Sequence, residues 1–150
     1  MKFRFSLSQT AAARRIFRIS APLKKEMQLA AKTVIQAEIK DIRDVQLSII
    51  AMSDEELLEL NKSALGHDWY TDIITFEIER TKTALEGEIY LSVERALANA
   101  KRFRQAGDLE LLHLVIHGVL HIAGYSDKSP KAKKQMRKIE RLYLVRYRLD

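Results

Sequence analysis

Residues 113 to 127 read HLVIHGVLHIAGYSD and hold three of the chain's four histidines, at 113, 117 and 121, followed by Gly124 and Asp127. Residues four apart on a helix lie on one face, one turn above the other. An adjacent pair of imidazoles at that spacing converges on a single ion. Three in a row do not, because His113 and His121 stand about 12 Å apart along a helix axis while nitrogen ligands sit about 2 Å from zinc. His117 and His121 are the better pair, since Gly124 breaks the helix just beyond them and lets the chain double back to offer Asp127. Two imidazoles and one carboxylate leave a position open for water, the arrangement of a catalytic ion. A competing reading makes the histidines hydrogen-bonded core residues and Asp127 a cap for the following helix. Buried imidazoles need partners, and two on one apolar face favour the metal. His113 then becomes a neighbour that orients a ligand, a role for which Asp72 and Glu88 are further candidates.

The spacing H-x-x-x-H-x-x-G-x-x-D is similar to the metal-binding frame of the metzincin proteases, with Asp in place of the last histidine. Peptidase chemistry of that kind needs Glu directly after the first histidine, as the base acting on water. Gly118 occupies that place. A metal site is expected here, and a metzincin-type protease is not.

The elements that must position these residues follow from periodicity. KFRFSL alternates polar and apolar residues, as a strand does, although the acid-free MKFRFSLSQTAAARRIFRIS also has the composition of an organellar transit peptide. Ser20 and Pro22 open a helix with Leu23, Met27, Ala30 and Val34 on one face. Val45, Leu47, Ile49 and Ala51 alternate along a second strand. Ser53 and Glu56 form a capping box for a helix that ends near Gly66. TDIITFEIE and EGEIYLS pair as a hairpin, and Ser92 caps a helix through Ala96, Leu97, Ala100 and Phe103. Gly107-Asp108 stops that helix and caps the next, apolar nearly all round from Leu109 to about Ala123, which therefore runs through the middle of the molecule. Ser129-Pro130 caps a last helix that packs through Met136, Ile139, Leu142 and Tyr143. The expected fold is α+β over one domain, residues 1–150: a small mixed sheet of about four strands with five to six helices, the buried central helix carrying the metal-binding histidines.

Composition sets limits on function. With no cysteine among 150 residues, disulfides, thiolate zinc sites and cysteine nucleophiles are excluded, and a reducing compartment such as the cytoplasm fits. No apolar run approaches the roughly 20 residues that span a bilayer. The net charge of +6 is uneven: from Lys128 onward nine Lys/Arg face two acids, leaving 17 basic and 18 acidic residues in 1–127. That basic terminal helix is either a polyanion-binding surface, for RNA, DNA or acidic lipid, or a well-solvated face.

Taken together, several segments resemble the YbeY family, bacterial endoribonucleases of ribosomal RNA maturation. The family signature H-G-x-L-H-L-x-G-Y-D-H stands here as HGVLHIAGYSD. An upstream asparagine ahead of T-D-(V/I)-(L/I)-(S/T)-F appears as Asn61 and TDIITF, and G-(D/E)-I-x-x-S as Gly87 to Ser92. The resemblance covers about residues 45 to 127. It implies a zinc ion on His117, His121 and Asp127, the last a carboxylate where the family has histidine, which shifts preference toward harder ions. It implies a single-strand-specific endoribonuclease in 16S rRNA 3′-end maturation and ribosome assembly and quality control, with the small ribosomal subunit and assembly proteins as partners. Neither a membrane nor a dinucleotide cofactor is expected. His117 and Glu88 are the expected catalytic residues, and Lys62, Lys131, Lys134, Arg137 and Lys138 the expected RNA contacts. Family members often carry an arginine where Leu65 stands, so cationic help to the phosphate must come from Lys62 or the basic helix. Trp69 and Tyr125 are candidates to stack on unpaired bases. Two rival functions are a metal-dependent hydrolase of peptides or small molecules, and a non-catalytic ribosome assembly factor with a structural metal.

Overall fold

A computed structural model describes residues 1–147. The elements run β1 (Lys2–Gln9), α1 (Ala11–Ile16), α2 (Ala21–Glu38), β2 (Asp44–Met52), α3 (Asp54–Leu65), β3 (Ile73–Arg80), β4 (Ala84–Ser92), α4 (Val93–Arg102), α5 (Gly107–Ile122) and α6 (Pro130–Leu144), with a short 3₁₀ turn at Val145–Tyr147. The sheet order is β1-β2-β4-β3, with β1, β2 and β4 parallel and β3 antiparallel to β4. The α+β expectation, its four-stranded mixed sheet and its hairpin are all present.

Period-2 alternation decides which sheet face is buried. Val45, Leu47, Ile49 and Ala51 of β2 are inside while Gln46 is exposed, and Leu85, Ile89 and Leu91 continue the buried face on β4. α2 packs against α5 through its stripe of Leu23, Met27, Ala30, Ala31, Val34 and Ile35. α5 in turn lies on β3 and β4, buried along most of its length, as its continuous apolar sequence requires. Burying the Val, Leu, Ile and Met side chains among these contributes about 1.5–3 kcal/mol each.

How closely α5 lies on the sheet is fixed by two glycines. A Cβ at Gly118 would sit 2.8 Å from Ile73 Cδ1 and 3.0 Å from Ile89 Cδ1, and one at Gly87 would sit 3.0 Å from Ile122 Cδ1. Position 118 therefore faces the sheet, so a glutamate there would have neither room nor access to the metal-binding face.

Caps stand largely where the sequence places them. Ser20, Ser53, Ser92 and Ser129 each accept a backbone N–H at the start of their helices, Ser53 within a full capping box. Gly66 closes α3 in the left-handed region, and Gly124 has a positive φ just past α5. Three details differ from expectation. Residues 11–16, which the alternation of KFRFSL leaves as loop beyond the first strand, form a short helix capped by Thr10, whose side chain accepts from Ala13 N. α5 begins at Gly107, with Ala106 in the cap position and no side-chain cap, so Asp108 lies in the first turn rather than capping it. Leu97 Cδ2 lies 2.9 Å from a would-be Cβ at Gly107, so a side chain there would displace the end of Leu97. On α6, Leu142 is 70% exposed and the buried stripe is Met136, Glu140 and Leu144.

Substituting Gly118→Val should lower the unfolding free energy by about 1–3 kcal/mol, through overpacking against Ile73 and Ile89. Urea denaturation checks this, and an unchanged midpoint would mean that α5 lies less tightly on the sheet.

Candidate metal centre

α5 presents His117 and His121 one turn apart, and the bend at Gly124 returns Asp127 to them. Asp127 Oδ2 lies 3.5 Å from His117 Nε2 and 3.4 Å from His121 Nε2, and the two Nε2 atoms are 2.9 Å apart. One ligand atom from each residue lies within 4.8 Å of the others, the one such group among the described residues.

The proton positions follow from the partners. His117 Nδ1 bonds to Glu140 Oε2 at 2.5 Å, and His121 Nδ1 to the carbonyl oxygen of Tyr125 at 3.0 Å. A backbone carbonyl accepts and never donates, and an ionised carboxylate does the same. Burial would raise the Glu140 carboxyl, but the hydrogen bonds from His113 and His117 outweigh it and hold the group down at about 2. Both imidazoles therefore carry a proton on Nδ1, and as neutral rings they turn Nε2 lone pairs toward each other and toward a carboxylate oxygen. Three potential acceptor atoms so close repel unless a proton or a metal cation joins them. Two tetrahedral ligands about 2.0–2.1 Å from zinc would be about 3.3 Å apart, close to the separations found. The donor set fits a divalent ion.

Glu140 is one of the two acids in the basic terminal segment, and the sequence assigns it no role at the site. It is 5% exposed, at i+4 between Met136 and Leu144, and its second oxygen accepts from His113 Nε2 at 2.9 Å. Its one carboxylate thus bridges two successive turns of α5. The signal was an acid on the apolar stripe of an otherwise basic helix. His113 also sits 3.7 Å from the buried Glu110. Burial pulls the His113 imidazole down, yet the hydrogen bonds and charges of Glu110 and Glu140 raise it to about 9. The bend is held separately: Tyr125 Oη donates to Glu38 Oε1 at 2.6 Å, and Tyr143 Oη donates to the other oxygen of the same carboxylate. Tyr125 is therefore a support for the ligand loop. Its phenol is raised by that hydrogen bond to Glu38.

The three ligands line a cleft of about 520 Å³ together with Asn61, Leu65, His67, Trp69, Thr75 and Lys128. A second hollow of about 420 Å³ shares Asp72, His117 and Asp127 with it and is bounded by Lys133 and Arg137. Those two cations also line a basic groove of about 810 Å³ along α6, with Lys128, Lys134, Lys138 and Arg141. Lys128, absent from the expected RNA contacts, is thus the cation that connects groove and cleft, while Lys133, also absent from them, and Arg137 connect the groove with the second hollow. Lys134, Arg137 and Lys138 lie in the groove, and Lys131 is outside its lining. Lys62 is engaged with Glu59 at 3.6 Å and Asp68 at 3.4 Å and does not line the cleft. Glu88 is not brought to the ligands. It alternates with Gly87 and Ile89, whose positions face α5, so it points from the other sheet face and accepts from Tyr90 Oη at 3.3 Å. Arg148 lies outside the described residues.

A family model described as Endoribonuclease YbeY matches residues 14–148. Curated relatives called Endoribonuclease YbeY include one from Christiangramia forsetii, 42% identical over 71% of this chain and 72% of its own length. Another, from Parabacteroides distasonis, is 34% identical over 81% of this chain and 85% of its own length. One from Cytophaga hutchinsonii is 43% identical, with 62% of this chain matched to 65% of that protein, just under two thirds of its length. A solution structure of a Thermotoga maritima protein matches with a TM-score of 0.59 at 27% identity, over 97% of this chain and 91% of that one.

Two outcomes follow from the Glu140 bridge. Glu140→Gln should weaken metal binding about 10- to 100-fold, measured by competition with a chromogenic chelator; unchanged affinity would remove Glu140 from the site's design. In chelator-treated protein the His113 contribution to stability is complete below about pH 6.5, the ordinary imidazole value, and is lost as pH rises through about 9. Denaturation between pH 6.5 and 9.5 should therefore destabilise wild type more than His113→Leu, whereas parallel profiles would contradict the ion pair.

Proposed function

Because the chain belongs to the YbeY endoribonuclease family, we propose that the cleft beside His117, His121 and Asp127 is the active site of a metal-dependent endoribonuclease acting on single-stranded ribosomal RNA. The carrying observation is the convergence of three potential ligand atoms in the wall of a cleft that continues into a basic groove. Zinc suits two imidazoles and a carboxylate, while the carboxylate admits harder ions. When bound, such an ion supplies Lewis acidity at a phosphodiester and activates water at neutral pH.

The remaining work falls to the chain itself. Glu140 fixes the proton of His117 on Nδ1, and the Tyr125 carbonyl does the same for His121, so both Nε2 atoms stay available. Lys128 lines both cleft and groove, which suits it to hold the backbone where Leu65 offers no charge. Lys133 and Arg137 extend that track past the second hollow. Asp72 lies in the shared wall of cleft and hollow. The biological setting we infer is 16S rRNA 3′-end maturation in the cytoplasm, on small ribosomal subunits and with assembly proteins. Among the described residues no helix is long and apolar enough to cross a membrane.

Incubation with a single-stranded RNA oligonucleotide tests the reading. Cleavage should stop with chelator, return with added zinc and be absent from folded His117→Ala. A folded His117→Ala protein that cleaves at the wild-type rate would overturn it, and subunit binding without any cleavage would favour an assembly factor. Replacing Lys128, Lys133 and Arg137 together by Ala should reduce the slope of log affinity against log salt by about 2, at about 0.7 per phosphate contact on a single strand.

A further inference from the structure

We propose that His67 and Trp69 form a stacking platform for one unpaired nucleobase of the strand whose backbone reaches the metal centre. The inference rests on the endoribonuclease reading and adds to it a base-binding subsite. The two rings stack on each other, with centroids 4.3 Å apart and planes 16° from parallel. Both line the cleft that holds His117, His121 and Asp127.

Trp69 is 57% exposed, and its indole makes no hydrogen bond among the described residues. The chain's other large aromatics near the site are accounted for differently. Tyr125 and Tyr143 are tied to Glu38, and Tyr70 donates to Glu55 with the Arg95 guanidinium 5.1 Å from its ring centroid. Phe103 lines the second hollow rather than the cleft, with the Arg102 guanidinium 5.5 Å from its ring centroid. Trp69 alone presents a broad apolar face to the cleft without a protein partner beyond His67.

Its loop is built to hold that face still. Asn61, 2% exposed, donates from Nδ2 to the Trp69 carbonyl at 2.9 Å. The Asn61 carbonyl accepts from His67 N at 3.1 Å, so one buried residue anchors both members of the pair. Gly66 turns the chain through the left-handed region just before His67, and Lys62 pairs with Asp68 between the two rings. Order of this kind spares a ligand the cost of immobilising the loop.

Stacked π-faces suit an unpaired base, since every base has a π-face and none needs a particular edge. In a duplex both faces are covered by neighbouring bases, so the platform accepts a single strand and rejects a paired one. Phosphates would meanwhile lie toward Lys128, across the same cleft.

Trp69 is the only tryptophan in the sequence, so the test reads it directly. Short single-stranded RNA is titrated into full-length His117→Ala protein, where cleavage cannot intervene, and indole fluorescence is followed. Saturable quenching is expected with the RNA, and little with an oligomer of the same length made of abasic residues or with the duplex. In a labelled-RNA binding assay Trp69→Ala should weaken affinity about 5- to 100-fold, and Trp69→Phe should retain most of it. Equal quenching by the abasic oligomer, or wild-type affinity in Trp69→Ala, would overturn the platform. Base-dependent quenching without cleavage by the wild-type enzyme would sink the nuclease reading and leave the platform standing. Cleavage with base-independent binding would do the reverse.

Discussion

The structure turns on one buried carboxylate placed between two imidazoles. Taking Glu140 out of water is costly, and two N–H donors from successive turns of α5 offset that cost. Removing either donor would leave a charge imperfectly compensated in the interior, a large penalty in a fold whose total stability is typically 5–15 kcal/mol. The carboxylate therefore locks α6 against α5 in one register. It also decides which nitrogen of His117 is protonated, and so whether its lone pair faces the ligand site.

α6 then has two electrostatic faces with separate jobs. Its buried stripe of Met136, Glu140 and Leu144 reaches α5, while Lys133, Lys134, Arg137 and Lys138 line the outer groove. A strand held by the outer face is placed in fixed relation to the ligands held by the inner one. Glu38 adds a second tie, gripping Tyr125 in the ligand loop and Tyr143 on α6 with one carboxylate. The site is thus assembled from three helices and a bend, all referred to the sheet through the close approach at Gly118 and Gly87.

Much of this was legible in the sequence because it is local. The i, i+4 histidines, the glycine bend and Asp127 follow from helix geometry, and the strands and serine caps from alternation and from side chains that satisfy their own helix ends. What escaped was decided by tertiary contact. Glu140 reads as one acid on a basic helix because charge outweighs its place on the apolar stripe, and Leu142 reads as inward because it is apolar, although it lies off that stripe. Glu88 was drawn toward the site by its motif, whereas its strand parity sends it to the opposite sheet face. Lys62 was placed near the substrate before its pairing with Asp68 was visible. The start of α5 escapes because the helix begins at Gly107 behind an Ala106 that offers no side-chain cap, so no capping residue marks it.

X-ray absorption at the metal edge of protein purified without added metal tests the central claim most directly. The account predicts about one ion per chain with two imidazole nitrogens at about 2.0–2.1 Å and oxygen neighbours, a pattern that collapses in His121→Ala. An oxygen-only shell, or a spectrum unchanged by that substitution, would contradict it.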